Sequence, residues 1–288
     1  MKLGIGLPNH IADVPGPAVA QWSRRGEELG FESVATIDRL FSSGVDSLIA
    51  LATAAGATSE LTLVTNVLLA PMYPVIPLAK QLVSLARVSG GRLTVGLGVG
   101  NRSDEYAGTG ADFHRRGRAL DAQVERLRSL WAGEPVADGT ALCAAPVRIP
   151  LLFGGRSAAT VRRVVTTGDG WAAGAVRHYD EQADVAARIR SGWQDAGRPA
   201  LPYLQASVNF ALGPAETVAA GRDHMARYYA FAPGYAQVNV ADMVCSAADA
   251  RDTVRRYRDL GFDRLLFHPT SASVEQVDYL ADAILGCL

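Results

Sequence analysis

Two short stretches put glycine where a ligand can reach the backbone. In SGGRLTVGLGVGNRSDEY (89–106), Gly96, Gly98 and Gly100 recur at every second position. On a strand this spacing places all three on one face and Val95, Leu97 and Val99 on the other. Such a row marks the close approach of something to the backbone. Two readings stay open: a packed interior that admits only small residues, or a flat ring in the cleared space. A dinucleotide fingerprint is excluded, because Asn101 stands where G-x-G-x-x-G requires its third glycine. In FGGRSAATVRRV (153–164), Gly154 and Gly155 follow an apolar run and Ser157 is placed to cap the next helix. The free N–H groups of that helix start suit an anion, and Arg156 adds a fixed positive charge. The same residues also suit an ordinary strand-to-helix turn.

Titratable candidates lie elsewhere. Asp38 and Arg39 adjoin in ATIDRL, while His10 and His268 follow the first and last apolar runs. The two histidines are candidate groups titrating near neutral pH beside a substrate. His114, His178 and His224 read as helix-face or helix-start residues without a role. Lysine occurs only at Lys2 and Lys80, so Schiff-base and pyridoxal chemistry lack their amine. No strand end carries an H-x-H pair, so no metal is expected. Asp38 with Glu105 is a weak candidate for the paired carboxylates of a glycosidase.

The elements that must position these residues alternate along the chain. Apolar or β-branched runs at 2–7, 33–37, 61–65, 92–98, 150–153, 170–173, 204–212 and 264–268 read as strands. Helical periodicity follows each, near 16–29, 46–57, 75–88, 113–132, 156–167, 178–196, 214–229 with 247–260, and 272–286. Glycine stops a helix before a strand in EELGFESVATI and RDLGFDRLLFH. Eight βα units without a compositional break predict a single-domain (β/α)8 TIM barrel over 1–288, with a doubly wound sheet as the alternative. The 230–246 stretch reads as an insertion forming short helices beside the barrel mouth. In a barrel the active site lies at the C-terminal strand ends. That rule selects Asn9 and His10, Asp38 and Arg39, Asn66, Asn101 with Asp104 and Glu105, Gly154 to Ser157, Gly174, and His268. Phe41, Tyr73, Tyr106, Tyr229, Phe231 and Tyr235 are candidates to roof the cavity.

Composition narrows the setting. At a formal net charge of −1 and with no Lys/Arg-rich run, the chain has no electrostatic footprint for nucleic acid. No apolar stretch reaches the about eighteen residues of a membrane span. The three cysteines, Cys143, Cys245 and Cys287, are too sparse for a disulfide framework. A cytoplasmic protein is expected.

Taken together, ELTLVTNVLLAPMYPVIPLAKQLVSLARVSGGRLTVGLGVGNRSDEY (60–106), GFESVATIDRL, PLLFGGRSAATVRRVVTTGDGWAAG and GFDRLLFHP resemble the luciferase-like flavin-dependent oxidoreductases. The resemblance spans nearly the whole chain. It implies a barrel that binds FMN or a deazaflavin at its mouth, with a non-proline cis peptide at Asn66–Val67 behind the ring. The phosphate would lie on Gly154, Gly155, Arg156 and Ser157, with Ala173 and Gly174 closing the other side and Asn101 flanking the ring. The glycine row would clear space beneath it. Many members carry Asp-His after the second strand, where this chain has Asp38–Arg39. An arginine there is a fixed cation rather than a general acid, suited to an anionic ring or an acidic substrate, or to a salt bridge with a neighbour. The leading expectation is a monooxygenase that takes exchangeable reduced FMN from a separate flavin reductase and uses O2 on a small organic substrate. The alternative is hydride transfer with coenzyme F420, and a flavin-binding protein without turnover is a third class. A homodimer is implied by analogy with the family.

Overall fold

The computed structural model describes residues 1–287; Leu288 and the side chain of Cys287 lie outside the described residues. Among the described residues, eight parallel strands form a ring: β1 (Lys2–Gly6), β2 (Ser33–Thr36), β3 (Thr62–Leu68), β4 (Leu93–Leu97), β5 (Leu151–Gly154), β6 (Gly170–Ala172), β7 (Tyr203–Phe210) and β8 (Arg264–Pro269). Each pairs with its neighbours in chain order. The ring closes where Lys2 to Ile5 of β1 pair with Arg264 to Phe267 of β8. The fold is therefore a (β/α)8 TIM barrel, and the doubly wound alternative falls away.

The helices are α1 (Ala18–Leu29), α2 (Ser47–Ala57), α3 (Val75–Val88), α4 (Ser103–Thr109), α5 (Arg116–Trp131), α6 (Ala158–Thr166), α7 (Tyr179–Asp195), α8 (Ala215–Tyr228), α9 (Pro233–Ala241), α10 (Ala247–Asp259) and α11 (Glu275–Ile284). Local chemistry sets many of their ends. Asp46 caps α2 by accepting from the Leu48 and Ile49 amides, and Ser246 caps α10 through the Asp249 amide. Gly30 ends α1 in the left-handed region at φ 92°. In α1, Val19, Trp22, Ser23 and Gly26 are buried at helical spacing, so one stripe meets the strands. Two elements lay outside the sequence expectation. They are the short α4, and an antiparallel hairpin of Pro135–Ala137 with Thr140–Ala141 outside the barrel. The 230–246 stretch contains α9, next to the mouth. No described helix is long and apolar enough to cross a membrane.

Strand periodicity divides the interior in two. Leu265 and Phe267 of β8, Leu204, Ala206 and Val208 of β7, and Leu93, Val95 and Leu97 of β4 face outward into one shell shared with the helices. The alternate positions face the barrel axis, where Ala35, Val64 and Leu266 form a small separate cluster. Arg264 and His268 take inner positions on β8, and Gln205 and Ser207 take them on β7.

The structure also resolves what approaches the glycine row. At the end of β3 the register with β4 slips between Thr65 and Leu68, and the Asn66–Val67 peptide is cis. A Cβ at Gly96 would run into the Thr65 carbonyl oxygen. One at Gly98 would stand 2.5 Å from Val67 Cγ2, and one at Gly100 would be 3.2 Å from Leu69 Cδ1. Gly154 on β5 receives the same valine, with 3.1 Å left to Val67 Cγ2. The cleared space is filled by the β3 bulge itself, so a ring at the mouth would rest on Val67 and not on bare glycine.

This packing predicts that Gly98→Ala destabilises the protein by about 1–3 kcal/mol through overpacking. Adding Val67→Ala should restore part of that loss. Denaturant unfolding of the four proteins in the cycle measures the coupling, and strictly additive effects would refute the contact.

Candidate active site

One side of the mouth is an open, amide-rich cradle. β5 ends at Gly154, and Gly155 turns the chain at φ +105°, a conformation that favours glycine. The Trp171 indole holds this turn by donating to the Gly155 carbonyl at 2.6 Å. Ser157 then caps α6, its hydroxyl accepting from the Thr160 amide at 3.2 Å. The first helical bond runs from the Val161 amide to the Ser157 carbonyl, so the Ala158 and Ala159 amides have no partner within the helix. Gly155, Arg156 and Ser157 are exposed, as is Gly174, and nothing lies within 4 Å of where a Gly174 side chain would begin. Arg156 is not a free cation: it pairs with Glu181 of α7 at 2.6 Å. Ala173 contributes only backbone, because its methyl packs in the outer shell and its carbonyl accepts from Ser207 at 3.3 Å.

The floor is the β3 bulge. Val67 is half-buried, and Asn101 stands exposed on the rim beyond β4. Asp38 clasps the bulge from below. Its carboxylate accepts from the Leu69 amide and the Tyr73 hydroxyl, each at 2.8 Å. Burial pushes the Asp38 carboxyl up to about 6, and the two donors pull it the other way. Glu105 is likewise engaged, accepting from the Phe41 amide at 3.3 Å between Arg39 and Arg102. Neither carboxylate is free for glycoside hydrolysis.

The opposite side of the mouth is roofed. Arg39 Nη1 donates to the Tyr228 carbonyl at 2.6 Å, and its guanidinium lies 4.2 Å from the Tyr228 ring centre. Phe231, just beyond α8, lies between Arg39 at 5.5 Å and Arg102 at 4.7 Å. Arg39 therefore pairs with Glu105 rather than Asp38, and latches the end of α8 over the β2 loop.

Beneath this roof sits a histidine cluster. His10, at the end of the turn Pro8–His10, lies 6.5 Å from His268 and 5.5 Å from His224 of α8, ring centre to ring centre. Tyr228 meets His10 edge-on at 5.6 Å. Both nitrogens of His10, Nδ1 of His268 and Nε2 of His224 are buried without a hydrogen-bond partner. Burial lowers His268 and His224 to about 4, and burial together with its histidine neighbours holds His10 well below the ordinary imidazole range. The expectation that His10 and His268 titrate near neutral pH is thus corrected: desolvation disfavours the imidazolium, and both are neutral at pH 7.

Of the aromatic residues expected to roof the mouth, Phe231 lies there against Arg39 and Arg102. The structure adds His224, Tyr228, Arg102 and Gln205 to the residues expected at the mouth. The only local signal for them was His224 and Tyr228 at i, i+4, one face of a helix running into the 230–246 stretch.

Buried orphan polar groups on one side, an open nest of amides on the other and an apolar bulge between them fit a planar ring with an anionic tail. The chain belongs to the luciferase-like monooxygenase family, whose sequence model matches residues 1–261. An uncharacterised protein of Mycobacterium tuberculosis is 31% identical over 175 residues, 56% of this chain and 61% of that one. The F420-dependent hydroxymycolic acid dehydrogenase of the same organism is 32% identical over 164 residues. That match covers 51% of this chain and 44% of the relative. The chain therefore spans less than two thirds of the length of either relative. Among solved structures, an F420-dependent secondary alcohol dehydrogenase in complex with an F420–acetone adduct is alike in fold over 100% of both chains, with TM-score 0.82 at 19% identity.

The buried histidines predict an acid-sensitive fold. Their folded pKa values lie below the ordinary histidine value of about 6.5, so their contribution is complete above that pH and is lost as pH falls toward about 4. Asp38, raised to about 6, acts in the opposite sense as pH climbs from about 4. Unfolding free energy in urea should fall from pH 7 to pH 5, and His224→Gln should fall less steeply. An equal or steeper fall in the variant would contradict the desolvation of His224.

Proposed function

We propose that this protein is an oxidoreductase that uses coenzyme F420 to move a hydride to or from a small organic substrate. The observation that carries this reading is the open cradle. Gly155, Arg156, Ser157 and Gly174 all face solvent, so a cofactor phosphate held there has room for an anionic tail running outward. F420 carries such a tail, whereas FMN ends at its phosphate. The F420-dependent relative from M. tuberculosis supports the same choice. The order of the two expectations drawn from the sequence is therefore reversed.

When bound, the deazaflavin supplies a two-electron hydride donor or acceptor at its ring. The chain's own residues do the rest. The amides of the Gly155–Ala159 turn bind the phosphate, and Ser157 and Trp171 keep that turn in shape. Asn66 and Val67 form the platform for the ring, clasped by Asp38. Arg39, Tyr228 and Phe231 exclude water from the side that holds His10 and His268.

A second reading, an FMN-dependent monooxygenase using O2 and supplied by a flavin reductase, is favoured by the family's own description. Titration of the purified protein with F420 and with FMN, followed by fluorescence quenching, separates the two. F420 should bind at micromolar concentration, and alcohols or ketones should then change its absorbance without oxygen. FMN binding with substrate-dependent oxygen uptake would replace this reading with the second, and binding of neither cofactor at tens of micromolar would end both.

The cradle is tested separately by Gly155→Asp and Gly155→Asn, which impose the same backbone strain. The aspartate should weaken cofactor binding at least about tenfold more than the asparagine, a difference of about 1.4 kcal/mol. Equal affinities would mean that no phosphate lies there.

A further inference from the structure

A line of polar side chains crosses the barrel interior from its lower end to the histidine cluster. Arg264 Nη1 donates to Gln205 Oε1 at 3.1 Å, Gln205 Nε2 donates to Asn66 Oδ1 at 2.9 Å, and Asn66 Nδ2 lies 2.9 Å from His268 Nε2. Arg264, Gln205 and His268 are at most 4% exposed. Among the described residues Arg264 has no ion-pair partner within 4 Å; its charge is met by this amide, by the Tyr203 ring at 5.2 Å and at longer range by Glu32 and Asp263.

The direction of the line follows from its first member. A guanidinium has donors and no acceptor. Gln205 must turn its oxygen toward Arg264 and hence its NH2 toward Asn66. Asn66 must then turn its oxygen toward Gln205 and its NH2 toward His268. The imidazole therefore accepts at Nε2, and in its neutral form the proton sits on Nδ1, the nitrogen that has no partner.

We propose that Arg264 and Gln205 are positioning residues that, through Asn66, hold His268 as its Nδ1–H tautomer. His268 then carries its proton on the buried nitrogen beside Gly6 of β1, and its only lone pair is already occupied. On the F420 reading, on which this last step rests, a substrate group that reaches this imidazole meets a hydrogen-bond donor and no free acceptor. The same line fixes the side chain of Asn66 at both ends, and with it the platform under the ring.

The tautomer is measured without cofactor or substrate. In the full-length protein labelled with 15N-histidine, long-range 1H–15N correlation at neutral pH distinguishes the two ring nitrogens. His268→Gln identifies the His268 signals by their loss. The wild type should show a protonated Nδ1 and a bare Nε2; the reverse would overturn the proposal outright. Gln205→Glu should reverse the pattern. Its carboxylate accepts from Arg264 and also from the Asn66 NH2, so Asn66 turns its oxygen to His268 and draws the proton to Nε2. Arg264→Lys keeps a donor-only group and should retain the wild-type tautomer. An unchanged tautomer in Gln205→Glu, or a reversed one in Arg264→Lys, would show that the line does not set it. Because none of these signals needs a bound cofactor, failure here is distinct from failure of the F420 reading.

Discussion

The candidate site rests on the fit between the end of β3 and the glycines beside it. Val67 and Leu69 are pushed toward β4 and β5 where the β3–β4 register slips, and Gly96, Gly98, Gly100 and Gly154 leave room for them. Protein interiors are packed closely enough that a single added methyl group must displace something. A side chain on β4 or β5 would therefore push the bulge upward, and the platform would close the mouth it now floors. Asp38, itself held by the Tyr73 hydroxyl, accepts from the Leu69 amide just beyond this segment, so the loop after β2 and the glycines of β4 and β5 converge on the end of β3.

Desolvation governs the chemistry around this platform. The roof of Arg39, Tyr228 and Phe231 removes water from His10, His224 and His268, and burial is the first cause of the lowered pKa in each. Neutral imidazoles in a dry cluster serve as directed hydrogen-bond partners rather than as charges. Which nitrogen donates then matters more than the pKa, and neighbours such as Asn66 decide it. The cradle on the other side is wet. Its amides act through geometry, and the paired Arg156 and Glu181 leave it with little net charge of its own.

The asymmetry of the mouth also sorts the roles of its residues. On the proposed function, the groups that would grip an anionic tail lie on loops after β5 and β6, where the residues are exposed. Groups that would meet a substrate lie under α8 between β8 and β2, where polar atoms are buried. Asp38 and Glu105 are both held by donors from neighbouring loops and act as clasps. Two long-range straps hold the segment around α9: Arg39 ties the end of α8 to the loop after β2, and Arg177, after β6, ties Asp242 at the end of α9 and Asp249 of α10.

The fold was legible in the sequence because its signals are local. The apolar runs in PLLF and RLLFH, the capping of α6 by Ser157 and the glycine stop at Gly30 each depend on a few neighbouring residues, and the structure keeps them. The cradle was legible for the same reason. What filled the glycine row was not, since Val67 and Gly98 lie on different strands and meet only through a shift in register. His224 read as an ordinary helix residue, and its neighbours His10 and His268 come from the two ends of the chain. Arg39 chose Glu105 and the Tyr228 carbonyl over its own neighbour Asp38. The line from Arg264 to His268 takes one member from β3, one from β7 and two from β8. Each of these is decided by closure of the ring, which sets distances that spacing along the chain does not encode. The sequence by itself determined the strands, the helices and the glycine turn capped by Ser157, and the tertiary structure decided which buried polar groups face one another and in which direction their protons point.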